Sequence, residues 1–189
     1  MPFQLSFADF QSGLHSLSEA ADRGLSDLWH FPHLRTDVMC QHAKLIGHAG
    51  ELLVESMLLR HGLVSAALPD TFPVDRVIFH PQRPVGMQIK TSMSARDGAF
   101  NFAVSKGYQR SPSGQRQYEP EDFDILALCV LPANVVYFTT QGRSSFRIPC
   151  RQIPALQANP IASLAAALKD LGLETPTSVP TPSAKIAPA

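Results

Sequence analysis

From Val64 to Thr140 the sequence breaks into six short runs of β type, with helical patterns on either side of them. The runs are VSAA at 64–67, VDRVIF at 74–79, VGMQIKT at 85–91, AFNFAV at 99–104, DILALCVL at 124–131 and NVVYFTT at 134–140. Short stretches rich in β-branched and aromatic residues, bounded by turn formers, read as strands. The loop HPQRP, with its two prolines, lies between the second and third runs, and PAN lies between the last two. Both pairs therefore read as antiparallel hairpins. Residues 105–123 form a longer polar loop.

The helical patterns frame this sheet. Phe7, Phe10, Leu14, Leu17, Ala21, Leu25 and Leu28 fall at helical spacing behind Ser6 as a candidate cap, which predicts an amphipathic helix over residues 6–30. Pro32 interrupts the pattern, and a second helix is predicted from Thr36 to His61, with Gly62 placed to stop it. Ile161, Leu164, Leu168 and Leu171 share one face of a closing helix. The stretch ETPTSVPTPSAKIAPA has four prolines and no apolar period, so it is expected to stay disordered. The expected organisation is an N-terminal helical extension at 1–35, an α/β domain at 36–173 and a Pro-rich tail at 174–189.

Composition removes several function classes. With 44% hydrophobic residues and no apolar run near bilayer length, the chain is not expected in a membrane. The start MPFQLSFADF has neither a basic region nor a continuous apolar one, so no secretory signal is expected and a cytoplasmic location follows. Cys40, Cys129 and Cys150 are odd in number and lack C-x-x-C spacing, which argues against a disulfide framework and a zinc knuckle. Sixteen basic and sixteen acidic residues balance, so any contact with nucleic acid must come from a local patch.

The hairpin at 74–91 carries the chemistry. If its turn centres near Gln82, antiparallel pairing sets Asp75 opposite positions 88–90. Side chains alternate along a strand, so Gln88 and Lys90 project together while Val85, Met87 and Ile89 project to the other side. The bland alternative is that Gln88 and Lys90 mark the solvated face of a sheet. The preceding helix holds GHAGELLVESMLLRHG, with Gly47 and Gly50 in its interior. An interior glycine costs roughly 1 kcal/mol against alanine, which calls for a compensating close approach of another backbone. Glu51 follows directly, presented beside that flattened patch or simply exposed.

The order G-x-x-G-E on a helix, P-V-D at a strand start and M-Q-I-K-T on the next strand resembles the PD-(D/E)XK nuclease superfamily. It is most similar to the Q-x-K subgroup found in a group I intron homing endonuclease, and more distantly to archaeal Holliday junction resolvases. The later stretch YEPEDFDILAL followed by VVYF is similar as well, so the resemblance covers roughly residues 44–140. It implies a restriction-endonuclease-like α/β fold, a central mixed β-sheet flanked by helices. It also implies a metal-dependent DNA endonuclease that hydrolyses phosphodiester bonds, double-stranded DNA as substrate, and a homo-oligomer.

The same resemblance assigns roles. Asp75 would be the principal ligand of Mg²⁺ (or Mn²⁺), with Gln88 and the backbone carbonyl of Ile89 completing the protein share and Glu51 ligating directly or through water. Lys90 would position the nucleophile or stabilise the transition state. Gln88 departs from the acidic residue usual in the superfamily and offers a neutral oxygen, so weaker metal affinity is expected. That departure, with the zero net charge, keeps open a nuclease-fold DNA-binding protein that does not cleave. A small partner-binding protein with no nucleic-acid activity is a further alternative.

On the substrate side, Lys106, Arg110 and Arg116 lie in KGYQRSPSGQRQY with Tyr108 and Tyr118, a composition suited to phosphate contacts and base stacking or to a solvated loop. Arg96 is another phosphate candidate. Asp122 and Asp124 either approach the metal or serve a turn before a strand. His48, Glu51 and Glu55 share one helix face and form a competing start for a zinc site, although H-E-x-x-H is absent.

Overall fold

The computed structural model describes residues 25–107 and 114–175 of the chain. The expected helix at 6–30 thus lies largely outside the described residues, as does the tail from residue 176 and the loop tip at 108–113. The chain divides into two compact units, 1–43 and 44–189.

In the first unit a 3₁₀ turn spans Ser26–His30 and α1 spans Thr36–Gln41. The sequence predicts one helix from Thr36 to His61; the structure has two, because His42 leaves helical geometry at φ −106° and ψ 22° before α2 (Ala43–Arg60) begins.

The second unit is an α/β arrangement around a mixed sheet. Its strands are β1 (Ser65–Ala67), β2 (Arg76–Phe79), β3 (Pro84–Ser92), β6 (Ile125–Val130) and β7 (Val135–Thr139), in the order β1-β2-β3-β6-β7. All neighbours run antiparallel except β3 and β6, which are parallel. A parallel pair needs a long crossover, and here it contains β4 (Ala95–Arg96) and β5 (Ala99–Ala103). With β8 (Ser145–Pro149) these form a second, antiparallel sheet in the order β4-β5-β8. Helices α3 (Ile153–Ala158) and α4 (Ala162–Asp170) follow. The six runs read from sequence are all strands, while β4, β8 and α3 are additions to that reading.

β6 is buried along its whole length, as its continuous apolar run requires. Ile125, Ala127 and Cys129 join Val54, Met57 and Leu58 of α2 and Leu164 and Leu168 of α4 in one core. Leu126, Leu128 and Val130 face the other way and join Phe102 and Ile148 of the small sheet. The Cys129 thiol is therefore a core group, its pKa pushed up to about 12 by burial. Gly62 takes φ +76° just after α2, the left-handed conformation that glycine adopts freely at a helix end. Among the described residues, no helix is long and apolar enough to cross a membrane.

Candidate active site

The register of β2 and β3 pairs Arg76 with Met87, which sets Asp75, one residue earlier, across from Gln88. The Asp75 backbone N–H donates to Met87 O at 3.0 Å. Its carboxylate then reaches over the next two residues of β3. Asp75 Oδ2 accepts from Gln88 Nε2 and from the Ile89 N–H, each at 2.6 Å. Gln88 Nε2 also lies 3.4 Å from Ile89 O. Val85, Met87 and Ile89 enter the α2 core, so Gln88 and Lys90 occupy the opposite face, as alternation predicts. The solvated-face alternative does not hold, since Gln88 is 5% exposed.

Two charges sit partly desolvated on this face. Burial raises the Asp75 carboxyl above the ordinary carboxylate value, and the charge of Glu51 adds to the rise; the Ile89 N–H, Lys90 and Gln88 pull against it. Burial lowers the pKa of Lys90, opposed by Asp75. Lys90 Nζ donates to Tyr118 Oη at 3.1 Å and to Ser105 O at 3.5 Å, and it lies 5.3 Å from the Tyr118 ring centroid. Tyr118 packs edge-on against Phe123, and burial first, then Asp75 and Asp122, push its hydroxyl up to about 12. The hydroxyl therefore stays protonated at neutral pH. Sequence pattern proposed Tyr118 for base stacking and missed its contact with Lys90.

Glu51 owes its place to the helix contact beside it. A Cβ on Gly50 would meet Thr91 Oγ1 at 2.0 Å, so only glycine lets α2 lie this close to β3. The close approach is to a side chain rather than to backbone. A Cβ on Gly47 would meet nothing within 4 Å, so the expectation of a contact there fails. Glu51 is half-buried, accepts from or pairs with His48 Nδ1 at 3.1 Å, and acts electrostatically on Asp75. Glu55 is committed elsewhere: it pairs at 2.6 Å with Arg76, which is 4% exposed and also donates to Ser65 Oγ at 3.0 Å. The competing His48, Glu51 and Glu55 grouping is thereby divided. Among the described residues no three His, Cys, Asp or Glu side chains gather to hold a metal ion. The oxygens at the site are those of Asp75 and Glu51, the Gln88 amide and the Ile89 carbonyl.

The neighbouring acids serve the scaffold. Asp124 Oδ2 accepts from the Gly86 N–H at 2.7 Å, its own N–H donates to Gly86 O at 2.9 Å, and Arg83 pairs with Oδ1 at 3.0 Å. Asp122 pairs with Lys106 and accepts the Glu119 N–H at 2.6 Å; the Lys106 hydrogen bond leads in lowering its pKa. Lys106 is thus occupied, and it lies 5.5 Å from the Tyr118 ring centroid. Lys106 and Arg116 exchange both backbone hydrogen bonds, at 2.7 and 2.9 Å, closing the base of the loop. Of the four DNA-contact candidates, Arg96 and Arg116 are exposed, Lys106 is bound to Asp122 and Arg110 lies outside the described residues.

No protein-family model matches the sequence, and no curated protein matches it significantly. Among solved structures the chain is similar to a bacterial homing endonuclease, I-Ssp6803I, at 18% identity and a TM-score of 0.49, over 56% of this chain and 76% of that one.

Proposed function

We propose that this chain is a metal-dependent endonuclease that hydrolyses phosphodiester bonds in double-stranded DNA, with Asp75, Gln88, Lys90 and Glu51 as its working residues. The observation that carries the reading is the grouping on one face of β3: a half-buried carboxylate held by Gln88 and Ile89, with a partly desolvated lysine two residues beyond Gln88. Groups whose environments shift their ionisation cluster at functional sites, which supports the reading.

The donor set fits a hard divalent cation, Mg²⁺ or Mn²⁺. Every candidate ligand is an oxygen. Gln88 Nε2, the positive end of its amide, stands between Asp75 Oδ2 and Ile89 O. A half-turn of that amide would put Oε1 there instead. Asp75, Gln88 Oε1, Ile89 O and Glu51 would then hold the ion, which supplies a lowered water pKa and shielding of phosphoryl charge. Lys90 spends two N–H donors on Tyr118 and Ser105. It keeps a third, available to orient water or a phosphoryl oxygen. Cutting both strands of a duplex with one site per chain takes two copies, so we propose a homo-oligomer.

A second reading, DNA binding without turnover, is favoured by Gln88 itself, which is neutral and gives a cation one charge fewer than a carboxylate would. Incubation with supercoiled and linear DNA in Mg²⁺, in Mn²⁺ and in chelator separates the two. Metal-dependent cutting that drops by about two orders of magnitude or more in Asp75→Ala and Lys90→Ala is expected. Cutting that survives both substitutions overturns the site, and retention of DNA without cutting in any metal supports the second reading.

A further inference from the structure

The small sheet has two unlike faces. Phe100, Phe102, Phe146 and Ile148 point into the core beneath β6. Alternation turns the intervening residues outward; Arg96, Asn101, Ala103, Ser145 and Arg147 are exposed, while Ala99 and Pro149, on the same face beside Arg96, are buried and half-buried. Arg143, just before β8, is exposed too. Segments 95–103 and 143–151 contain four arginines, Arg96, Arg143, Arg147 and Arg151, and one acidic residue, Asp97, in a chain of zero formal charge. Among the described residues no ion pair uses any of the four. Arg147 Nη2 donates at 2.6 Å to the backbone carbonyl of Asp97, which orients the guanidinium and leaves its charge uncompensated. Between the arginines the side chains are short. Asn101, Ala103 and Ser145 line, with Arg143 and Arg147, a shallow depression of about 720 Å³.

The row has a direction. The Val104 N–H donates to Ser144 O at 2.9 Å, and the next carbonyl, Ser105 O, takes Lys90 Nζ. Arg143 therefore stands at the end of β5 nearest the lysine. Arg147 follows opposite Asn101, on the partner strand β8, and Arg96 lies opposite Ala99 at the far end. The register puts Arg143 level with Ser105 and Arg96 level with Ala99, so at about 3.3 Å per residue the row spans roughly 20 Å, about six base-pair steps along the axis of a duplex at 3.4 Å each.

We infer that the outer face of β4, β5 and β8 is a docking surface for the sugar-phosphate backbone of duplex DNA, holding the flank of the substrate that leads away from Lys90. Guanidinium forks match phosphate oxygens in geometry and charge, and the short residues between them let a backbone lie close. The inference rests on the nuclease reading for its ligand.

The test is binding of a labelled DNA duplex in chelator across a salt series, read by fluorescence anisotropy, with Arg96→Ala, Arg143→Ala, Arg147→Ala and the triple variant. Each single change is expected to weaken binding and to lower the slope of log affinity against log salt by about one, and the triple by about three. Arg→Lys at the same positions should keep the slope, which separates charge from folding. If the parent binds and the triple variant keeps its affinity and slope, the docking face is overturned while the nuclease reading stands. If the slope falls as expected but the parent cuts in no metal, the docking face stands and the nuclease reading fails. A parent that does not bind the duplex overturns the docking face, and cleavage in Mg²⁺ or Mn²⁺ decides the nuclease reading separately.

Discussion

Gln88 donates to Asp75 Oδ2 at 2.6 Å across the β2–β3 hairpin, so the neutral residue of the motif acts as a hydrogen-bond donor to its acidic one. Gln88→Glu would exchange that contact for two carboxylates, of which Asp75 is already raised by burial. Like charges at this distance disfavour joint ionisation. In chelator the variant is expected to lose about 1–3 kcal/mol at neutral pH, with the loss recovered on acidification as one carboxyl takes a proton. In Mg²⁺ the second charge becomes a ligand. The metal concentration giving half-maximal cleavage should fall several-fold, and thermal melts with and without Mg²⁺ should diverge more than for the parent.

Asp75 titrates in the unusual direction, and this gives a stability signature. Its folded pKa lies above the ordinary value of 3.8, so the unfolded chain ionises first as pH rises. The parent therefore loses stability between that value and the raised one, and the loss persists above it. Asp75→Asn removes the titration. In chelator, the melting temperature of Asp75→Asn relative to the parent should increase through this acid window and then level off. A constant difference across the window would show that Asp75 ionises as it does in the unfolded chain.

The hairpin was legible because its signals are local: two prolines mark the turn, and β3 alternates apolar residues with Gln88 and Lys90. Pairing register followed from turn length. The mixed α/β class followed from six short runs between helical patterns. β8 escaped because SSFRIP is short and ends in proline. Phe146 and Ile148 do alternate with Ser145 and Arg147, yet only pairing with β5 makes the segment a strand. The Lys90 to Tyr118 and Lys106 to Asp122 contacts join residues 28 and 16 positions apart through an irregular loop, and no periodicity encodes that. The arginine row was hidden for the same reason, being split between 96 and 143–147.

The two glycines of α2 are expected to respond with opposite signs. Gly47→Ala places a methyl in open space and should stabilise the helix by about 1 kcal/mol through propensity alone. Gly50→Ala drives its methyl into Thr91 Oγ1. Forcing an extra methyl into a packed contact costs typically about 1–3 kcal/mol. Thr91→Ala removes the hydroxyl and methyl nearest to the new Cβ but leaves the Thr91 Cβ at 3.1 Å, so the double variant should recover part of the loss. Chemical denaturation of all four proteins gives the coupling, and an additive result would mean that α2 and β3 are free to separate here. Because Glu51 adjoins Gly50, Gly50→Ala should also lower cleavage more than its stability loss explains.

Glu55 tests the division of labour on the same helix face. Its partner Arg76 is almost fully buried and has Ser65 Oγ as its other fixed contact. Removing one member of a buried pair leaves an uncompensated charge, at a cost of about 3 kcal/mol or more. Glu55→Ala is therefore expected to destabilise the fold strongly. Glu55→Gln keeps an acceptor for the guanidinium and should lose less. Neither change should alter the metal dependence of cleavage once the fraction folded is accounted for. Glu51→Gln should do the reverse, leaving the unfolding midpoint close to that of the parent while raising the Mg²⁺ requirement. A Glu55→Gln protein that is fully folded and has a shifted Mg²⁺ requirement would place Glu55 in the metal site and break the assignment of that site to Glu51 and Asp75.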